Sequence, residues 1–216
     1  MSIATTKLLS ANAAIGNHAE ALQDIHLERK SIAIYQRDTA TLEEQLRPLV
    51  TDSIECRASG TVEDITASLA TYFNKEYPQY RFWLEDILMI LDTFKEVTKV
   101  RTFRVLLATV KSNMCRKFHT DINTLRLLCT YVGPGTLWLP DEAANHNACF
   151  GRGNNQDIVK DESMIQQVGT GDIVILKGAL YPEGRPILHR SPTIEGTGEN
   201  RLLLRIDTNE NLNLFA

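Results

Sequence analysis

Five histidines occur in 216 residues, and His119 and His189 stand where the strongest case for chemistry can be made. His119 and Asp121 lie two apart in KFHTDINTLRLLCTYVGPGTLWLP (117–140). On an extended chain, positions i and i+2 point to one face. Both side chains can therefore reach one object, such as a metal ion, or they can bond each other. His189 follows in PILHRSP, beyond the apolar run GDIVILKG. The segment RLLLRID (201–207) then puts Arg201, Leu203 and Arg205 on one strand face and Leu202, Leu204 and Ile206 on the other. Two guanidinium groups facing the inside of a barrel need a reason. A planar fork that takes a carboxylate in two parallel bonds supplies one.

Each of these residues also has a plainer reading. His119 and Asp121 could share a hydrogen bond at a strand start. His189, bracketed by Pro186 and Pro192, could sit in a surface turn. Arg201 and Arg205 could lie on a solvated outer face. Taken together, however, two imidazoles and one carboxylate form a facial triad. Such a set holds Fe(II) and leaves positions open for a bidentate acid and O2.

The elements that must position these groups divide in character near residue 100. SGTVEDITASLATYFNKEY reads as a helix, with Thr61 and Asp64 in capping spacing and Val62, Ile65, Leu69 and Phe73 on one side. Pro78 separates it from RFWLEDILMILDTFKEVT, whose Phe82, Leu84, Ile87, Leu88, Leu91 and Phe94 make a wide apolar face. Earlier, residues 1 to about 30 read as helical or loose, and KSIAIYQR reads as a strand. Thr39 or Thr41 is placed to cap a helix through LEEQLRPLV, which Pro48 interrupts. After residue 100 short β-rich runs (TFRVLLATV, LRLLCTYV, TLWL, DIVILKG, RLLLRID) alternate with Gly, Pro, Asn and Asp. That punctuation predicts an antiparallel sandwich or small barrel. The expected class is α+β, with a mainly helical region at 1–100 and a β core at 101–216.

Composition removes several functions. The net charge of −4 offers no basic field to hold nucleic acid. No stretch has the apolar length to span a bilayer, and MSIATTKLLSANAAIG lacks the apolar centre of a signal peptide. A cytoplasmic location is expected. None of Cys56, Cys115, Cys129 and Cys149 forms a CxxC pair, so disulfides are not expected. Cys115, four residues before His119, is a minor ligand candidate, as are His146 and Cys149 in NHNACF. GRGNN (151–155) has no Lys-Ser/Thr and no helix signature after it, which excludes a phosphate loop. No Gly-x-Ser-x-Gly elbow supports a serine hydrolase. The stretch WLPDEAANHN, which leaves the hairpin after His119, is expected to line a pocket.

The order His119-x-Asp121, a long gap, His189 and then Arg201 resembles the Fe(II)/2-oxoglutarate-dependent dioxygenase superfamily. The likeness covers roughly residues 100 to 207. It implies a double-stranded β-helix (jelly-roll, cupin-like) core with His119, Asp121 and His189 as iron ligands. Arg201 would bind the distal carboxylate of 2-oxoglutarate, and Arg205 would assist with cosubstrate or substrate. The implied reaction is hydroxylation of a small-molecule or peptide substrate by O2. FHTD, TYVGPGT-WLP, GDIVILKG and HRSP together also resemble a bacterial family of unknown function over most of the chain. The alternative is a cupin-like protein that binds Zn(II) in metal homeostasis, with Cys115 or Cys149 as a soft ligand.

Overall fold

The computed structural model describes residues 10–148 and 154–208. The chain begins with strand β1 (Ala13–Gly16), a 3-10 turn over Ala19–His26, and strand β2 (Ile32–Tyr35). The expectation of helix or loose chain before residue 30 is thus corrected at Ala13–Gly16, while the 3-10 helix and turn that follow agree with it. Ala13 and Ala14 are buried as a short strand beside β2, because even a weakly apolar segment gains by joining an existing sheet edge. Helix α1 (Ala40–Leu46) has Thr39 at its N-cap, and Pro48 falls at the start of a separate 3-10 turn. Strand β3 (Glu55–Gly60) precedes the two long helices, α2 (Val62–Glu76) and α3 (Arg81–Thr98).

Helix α2 starts at a reciprocal capping box. The Asp64 N–H donates to Thr61 Oγ1 at 3.2 Å, and the Thr61 N–H donates to Asp64 Oδ2 at 3.0 Å. Ile65, Leu69 and Phe73 form its buried stripe. In α3 the buried side chains are Trp83, Ile87, Ile90, Leu91, Phe94 and Val97, while Phe82 is exposed. The apolar face is therefore turned from the expected one, because Trp83 takes the core position. Its ring meets Phe73 at 5.1 Å and Tyr131 at 5.8 Å, both edge-on. Truncating Trp83 to Ala would cost about 3–5 kcal/mol. Lys99, in the left-handed conformation, ends the helix.

The second half supplies β4 (Phe103–Val110), β5 (Leu125–Val132), β6 (Leu137–Trp138), the short helix α4 (Asn155–Ile158), β7 (Gln166–Gln167), β8 (Ile173–Lys177), β9 (His189–Arg190) and β10 (Arg201–Thr208). Seven strands form a large sheet in the order β1-β2-β8-β5-β10-β4-β3, and three form a small one, β7-β6-β9. Within the large sheet β1 and β2 run parallel, and every other pair is antiparallel. The large sheet crosses the division expected near residue 100, and three of its strands precede that point.

Alternation assigns each face. Leu125, Leu127, Cys129 and Tyr131 of β5, with Leu202, Leu204 and Ile206 of β10, pack against α2 and α3. The opposite face carries Leu128, Val174, Leu176 and Leu203, which meet Trp138 of the small sheet. A buried polar link pins α3 to the sheet. Arg37 Nη1 donates to Asp86 Oδ1 at 2.7 Å, and the Tyr131 hydroxyl donates to Asp86 Oδ2 at 2.7 Å. Among the described residues no helix is long and apolar enough to cross a membrane.

Candidate metal centre

The inner face of the large sheet and strand β9 bring the sequence-predicted residues together. His119 and His189 pair as an isolated antiparallel bridge, and each N–H donates to the other's carbonyl at 3.0 Å. His189 is also paired with Trp138 of β6, so it sits inside the small sheet and is 5 % exposed. The surface-turn reading of His189 is thereby excluded. Asp121 lies in irregular chain between the bridge and a bend at 122–124, where its carbonyl accepts from the Ala179 N–H at 2.8 Å just beyond β8. His119 and Asp121 do not share a regular strand as expected. They converge with Asp121 anchored through its carbonyl on Ala179 and through its carboxylate on Arg126.

His119 Nε2 stands 3.5 Å from Asp121 Oδ1, and His189 Nε2 stands 3.3 Å from Asp121 Oδ2. One ligand atom from each of the three residues lies within 4.8 Å of the others. His119 Nδ1 faces the Lys117 carbonyl at 3.0 Å, and His189 Nδ1 faces the Ile187 carbonyl at 3.4 Å. A carbonyl only accepts, so it assigns the N–H to Nδ1 in both rings. Nε2 of each ring then faces the common centre, where it can donate to Asp121 when the ring carries a second proton and can coordinate a metal when it does not.

Sequence reasoning missed Arg126. It sits at an inward position of β5 with Leu128 and Thr130, where its charge among apolar neighbours was the available signal. Arg126 Nη1 donates to Asp121 Oδ2 at 2.5 Å and Nε donates to Asp207 Oδ1 at 2.6 Å. Oδ2 of Asp121 is thus engaged, and Oδ1 faces His119. Burial pushes the Asp121 carboxyl upward. The hydrogen bonds from His119 and His189, with the charges of His189 and Arg126, outweigh it and hold the group well below the usual carboxylate range. The His119 imidazole is raised, first by its bond to Asp121.

Arg201 is 1 % exposed, so the solvated-face reading fails for it. Its Nη2 donates to Thr130 Oγ1 at 2.9 Å, but its Nε has no partner and no carboxylate pairs with it among the described residues. Burial pushes the guanidinium down to about 10, which leaves it charged at neutral pH. Arg205 is half-buried, with Nε 3.2 Å from Asp207 Oδ2. His119, His189, Arg126, Arg201 and Arg205 line one small cavity of about 70 Å³. A wider cleft of about 970 Å³, between Leu27–Arg29 and Gly184–Pro186, contains none of them.

The remaining candidates separate from this centre. Cys115 is exposed and borders the cavity but is not part of the convergent group. Cys149 lies outside the described residues, as do the first three residues of GRGNN. His146 Nε2 pairs with Asp141 Oδ1 at 3.3 Å. In the stretch expected to line the pocket, Leu139, Ala143 and Ala144 instead pack with Phe118 and Leu188. Those two precede His119 and His189 in the chain, so the stretch backs the ligands rather than the cavity.

The chain belongs to the family described as a protein of unknown function, DUF1826, whose family model matches residues 16–207. No curated protein matches the sequence. Solved structures similar to the chain include the Arabidopsis thaliana dioxygenase for auxin oxidation 1 in its 2-oxoglutarate complex. That pair is 10 % identical, covers 91 % of each chain and has a TM-score of 0.47. A Pseudomonas putida prolyl-4-hydroxylase is 11 % identical, with 88 % of this chain and 97 % of that one covered and a TM-score of 0.41. HygX from Streptomyces hygroscopicus, with nickel and 2-oxoglutarate bound, is 11 % identical over 83 % of each chain, with a TM-score of 0.39.

Proposed function

We propose that this member of the DUF1826 family is an Fe(II)/2-oxoglutarate-dependent oxygenase on a double-stranded β-helix core. The observation that carries the reading is a pairing of sites. A buried guanidinium without a carboxylate partner, Arg201, shares one cavity with His119 and His189, two of the three convergent metal-type ligands. Burying an unpaired charge is costly, and a chain keeps one where a ligand of opposite sign completes it.

The donor set fits a divalent iron. Two neutral imidazole nitrogens and one carboxylate oxygen are the ligand types of non-haem Fe(II) sites with open positions. His119 and His189 would offer Nε2, and Asp121 would offer Oδ1 while Arg126 keeps Oδ2. Fe(II) bound there supplies the oxidising chemistry, in which 2-oxoglutarate and O2 yield succinate and CO2 as a substrate C–H bond becomes C–OH. The chain's own part is to bind and orient. Arg201 forms a fork for the distal carboxylate of the keto acid, and Leu128 and Leu203 exclude water beside it. Charge supports the same ligand. Among the described residues Arg126 and Arg205 pair with Asp121 and Asp207 and Arg201 with no carboxylate, and a divalent cation adds positive charge that a dianionic acid offsets.

A zinc site with the Cys115 thiolate would need that residue in the convergent group, where it is not; Cys149 lies outside the described residues, and no observation among the described residues favours that reading. The test is linkage between ligands. Titration calorimetry with Mn(II) in place of iron should show 2-oxoglutarate binding at least about tenfold more tightly to the metal-loaded chain, a coupling of about 1.4 kcal/mol. Equal affinity with and without metal would reject the reading.

A further inference from the structure

The inner face of the large sheet does not end at the candidate metal centre. In an antiparallel sheet, directly paired residues share a face. The register places Arg57 of β3 beside Leu106 of β4, and Leu106 beside Arg205 of β10. One row further, Ser59, Arg104 and Asp207 are paired in the same way, and Asp207 pairs with Arg126 of β5. The second of these rows thus runs from Arg126, which holds the Asp121 carboxylate, through Asp207 and Arg104 to the sheet edge.

That end of the face is open. Arg57, Ser59 and Arg104 are exposed although they lie on the same face as the buried Leu203 and Asp207. Together with Leu106, Arg205 and Asp207 they line a trough of about 310 Å³. Arg205 lines both the trough and the cavity at the metal centre. The trough is therefore continuous with the candidate site through one side chain.

Its cations are not all committed. Arg57 Nε is held by Glu55 Oε1 at 2.8 Å. Asp207 is shared by Arg126 and Arg205, and Arg205 Nε approaches Asp207 without forming a hydrogen bond. The Arg104 side chain has no hydrogen bond or ion pair to any described residue. Two guanidinium groups placed diagonally on the adjacent strands β4 and β10, one free and one with an unbonded Nε, suit an anion that bridges them.

We propose that the trough seats an acid group, carboxylate or phosphate, of the molecule the oxygenase acts on, held by Arg104 and Arg205. This rests on the oxygenase reading and adds the chemical class of its substrate. Arg201 stays with the keto acid, whereas Arg205 faces outward to the second ligand. The substrate's reacting carbon then lies between its acid group and the imidazoles of His119 and His189.

The probe is inorganic phosphate, followed by phosphorus relaxation on the full chain loaded with Mn(II) and saturating 2-oxoglutarate. Phosphate in the trough lies near the paramagnetic ion and relaxes faster. Arg104→Glu should reduce the phosphate affinity read in this way by at least about fivefold, as loss of a charge-assisted contact implies. Arg104→Lys should retain most of it. Arg81→Glu, an equal charge change on the exposed start of α3, should leave it unchanged. Equal reduction by Arg104→Glu and Arg81→Glu would overturn the proposal, since only net charge would then matter. Failure of the oxygenase reading appears separately, as Mn(II) binding that His189→Ala does not disturb. In that case a loss of phosphate by Arg104→Glu marks an anion site but removes its assignment to an oxygenase substrate.

Discussion

His119 and His189 exchange two backbone hydrogen bonds of 3.0 Å, each N–H on the other's carbonyl, although they come from distant parts of the chain. The spacing of their rings, 4.6 Å between centroids, is therefore set by sheet pairing and not by side-chain packing alone. A site built on paired backbone needs little reorganisation to take a ligand, which is how binding groups are best held. The account predicts that metal affinity depends on the imidazoles while the bridge survives their removal.

His189→Ala tests this. The backbone bonds remain, so the metal-free variant should unfold within about 2 kcal/mol of the parent. Mn(II) at a hundred times its dissociation constant should stabilise the parent by about 2.7 kcal/mol. It should not stabilise the variant. Thermal unfolding with and without Mn(II) measures both, and an undiminished shift in the variant would remove His189 from the ligand set.

Arg126→Leu should be among the most damaging single changes at the centre. It leaves the Asp121 and Asp207 carboxylates without their shared partner, and both are nearly buried. Loss of one member of such a buried set costs about 3–5 kcal/mol, and Asn123 and Arg205 on Asp207 favour the lower end. Urea unfolding measures it. A cost under about 1 kcal/mol would show that the carboxylates do not depend on Arg126.

Arg201→Met should separate stability from ligand binding in opposite directions. The metal-free chain should gain about 1 kcal/mol or more, because an unpaired buried charge is exchanged for an apolar side chain of similar length. Affinity of the metal-loaded chain for 2-oxoglutarate should fall at least about thirtyfold, near 2 kcal/mol. Mn(II) affinity should stay the same. Loss of stability together with unchanged keto-acid binding would make Arg201 a structural residue.

Much of this centre was legible in the residue types. His119, Asp121, His189 and Arg201 could be read because their chemistry is unusual among apolar strand neighbours, and period-two alternation put Arg201, Leu203 and Arg205 on one face. The strong local signals also carried through, since the Thr61–Asp64 box and the Pro78 break depend only on neighbours. What could not be read depends on distant partners. Ala13–Gly16 becomes a strand only because β2 is there to pair with it, and Trp83 displaces Phe82 only because Tyr131 and Phe73 receive its ring. Arg126 went unnoticed because its two carboxylate partners come from the irregular chain ahead of β5 and from β10, which alternation within β5 does not reveal.

A pH prediction comes from the core behind the site. Burial pushes the Cys129 thiol up to about 12, and Arg37 opposes it only in part. A group whose folded value is raised contributes stability that is fully present below its unfolded value, near 8.5 to 9. That stability is lost as the pH rises toward 12. Urea midpoints should therefore fall between pH 9 and the upper limit of measurement, and Cys129→Ala should flatten that fall. An equal slope in the variant would assign the alkaline loss to other groups, such as Tyr131.

The central claim, that His119, Asp121 and His189 hold iron beside an acid site completed by Arg201, has one direct test. Fe(II) and then 2-oxoglutarate are added anaerobically to the metal-free chain, and the visible iron-to-keto-acid charge-transfer band is followed. The account predicts a band that saturates at one equivalent of each, is absent in His189→Ala, and needs much more 2-oxoglutarate in Arg201→Met. No band in the parent chain at saturating Fe(II) and 2-oxoglutarate, or a band unchanged in His189→Ala, would contradict it.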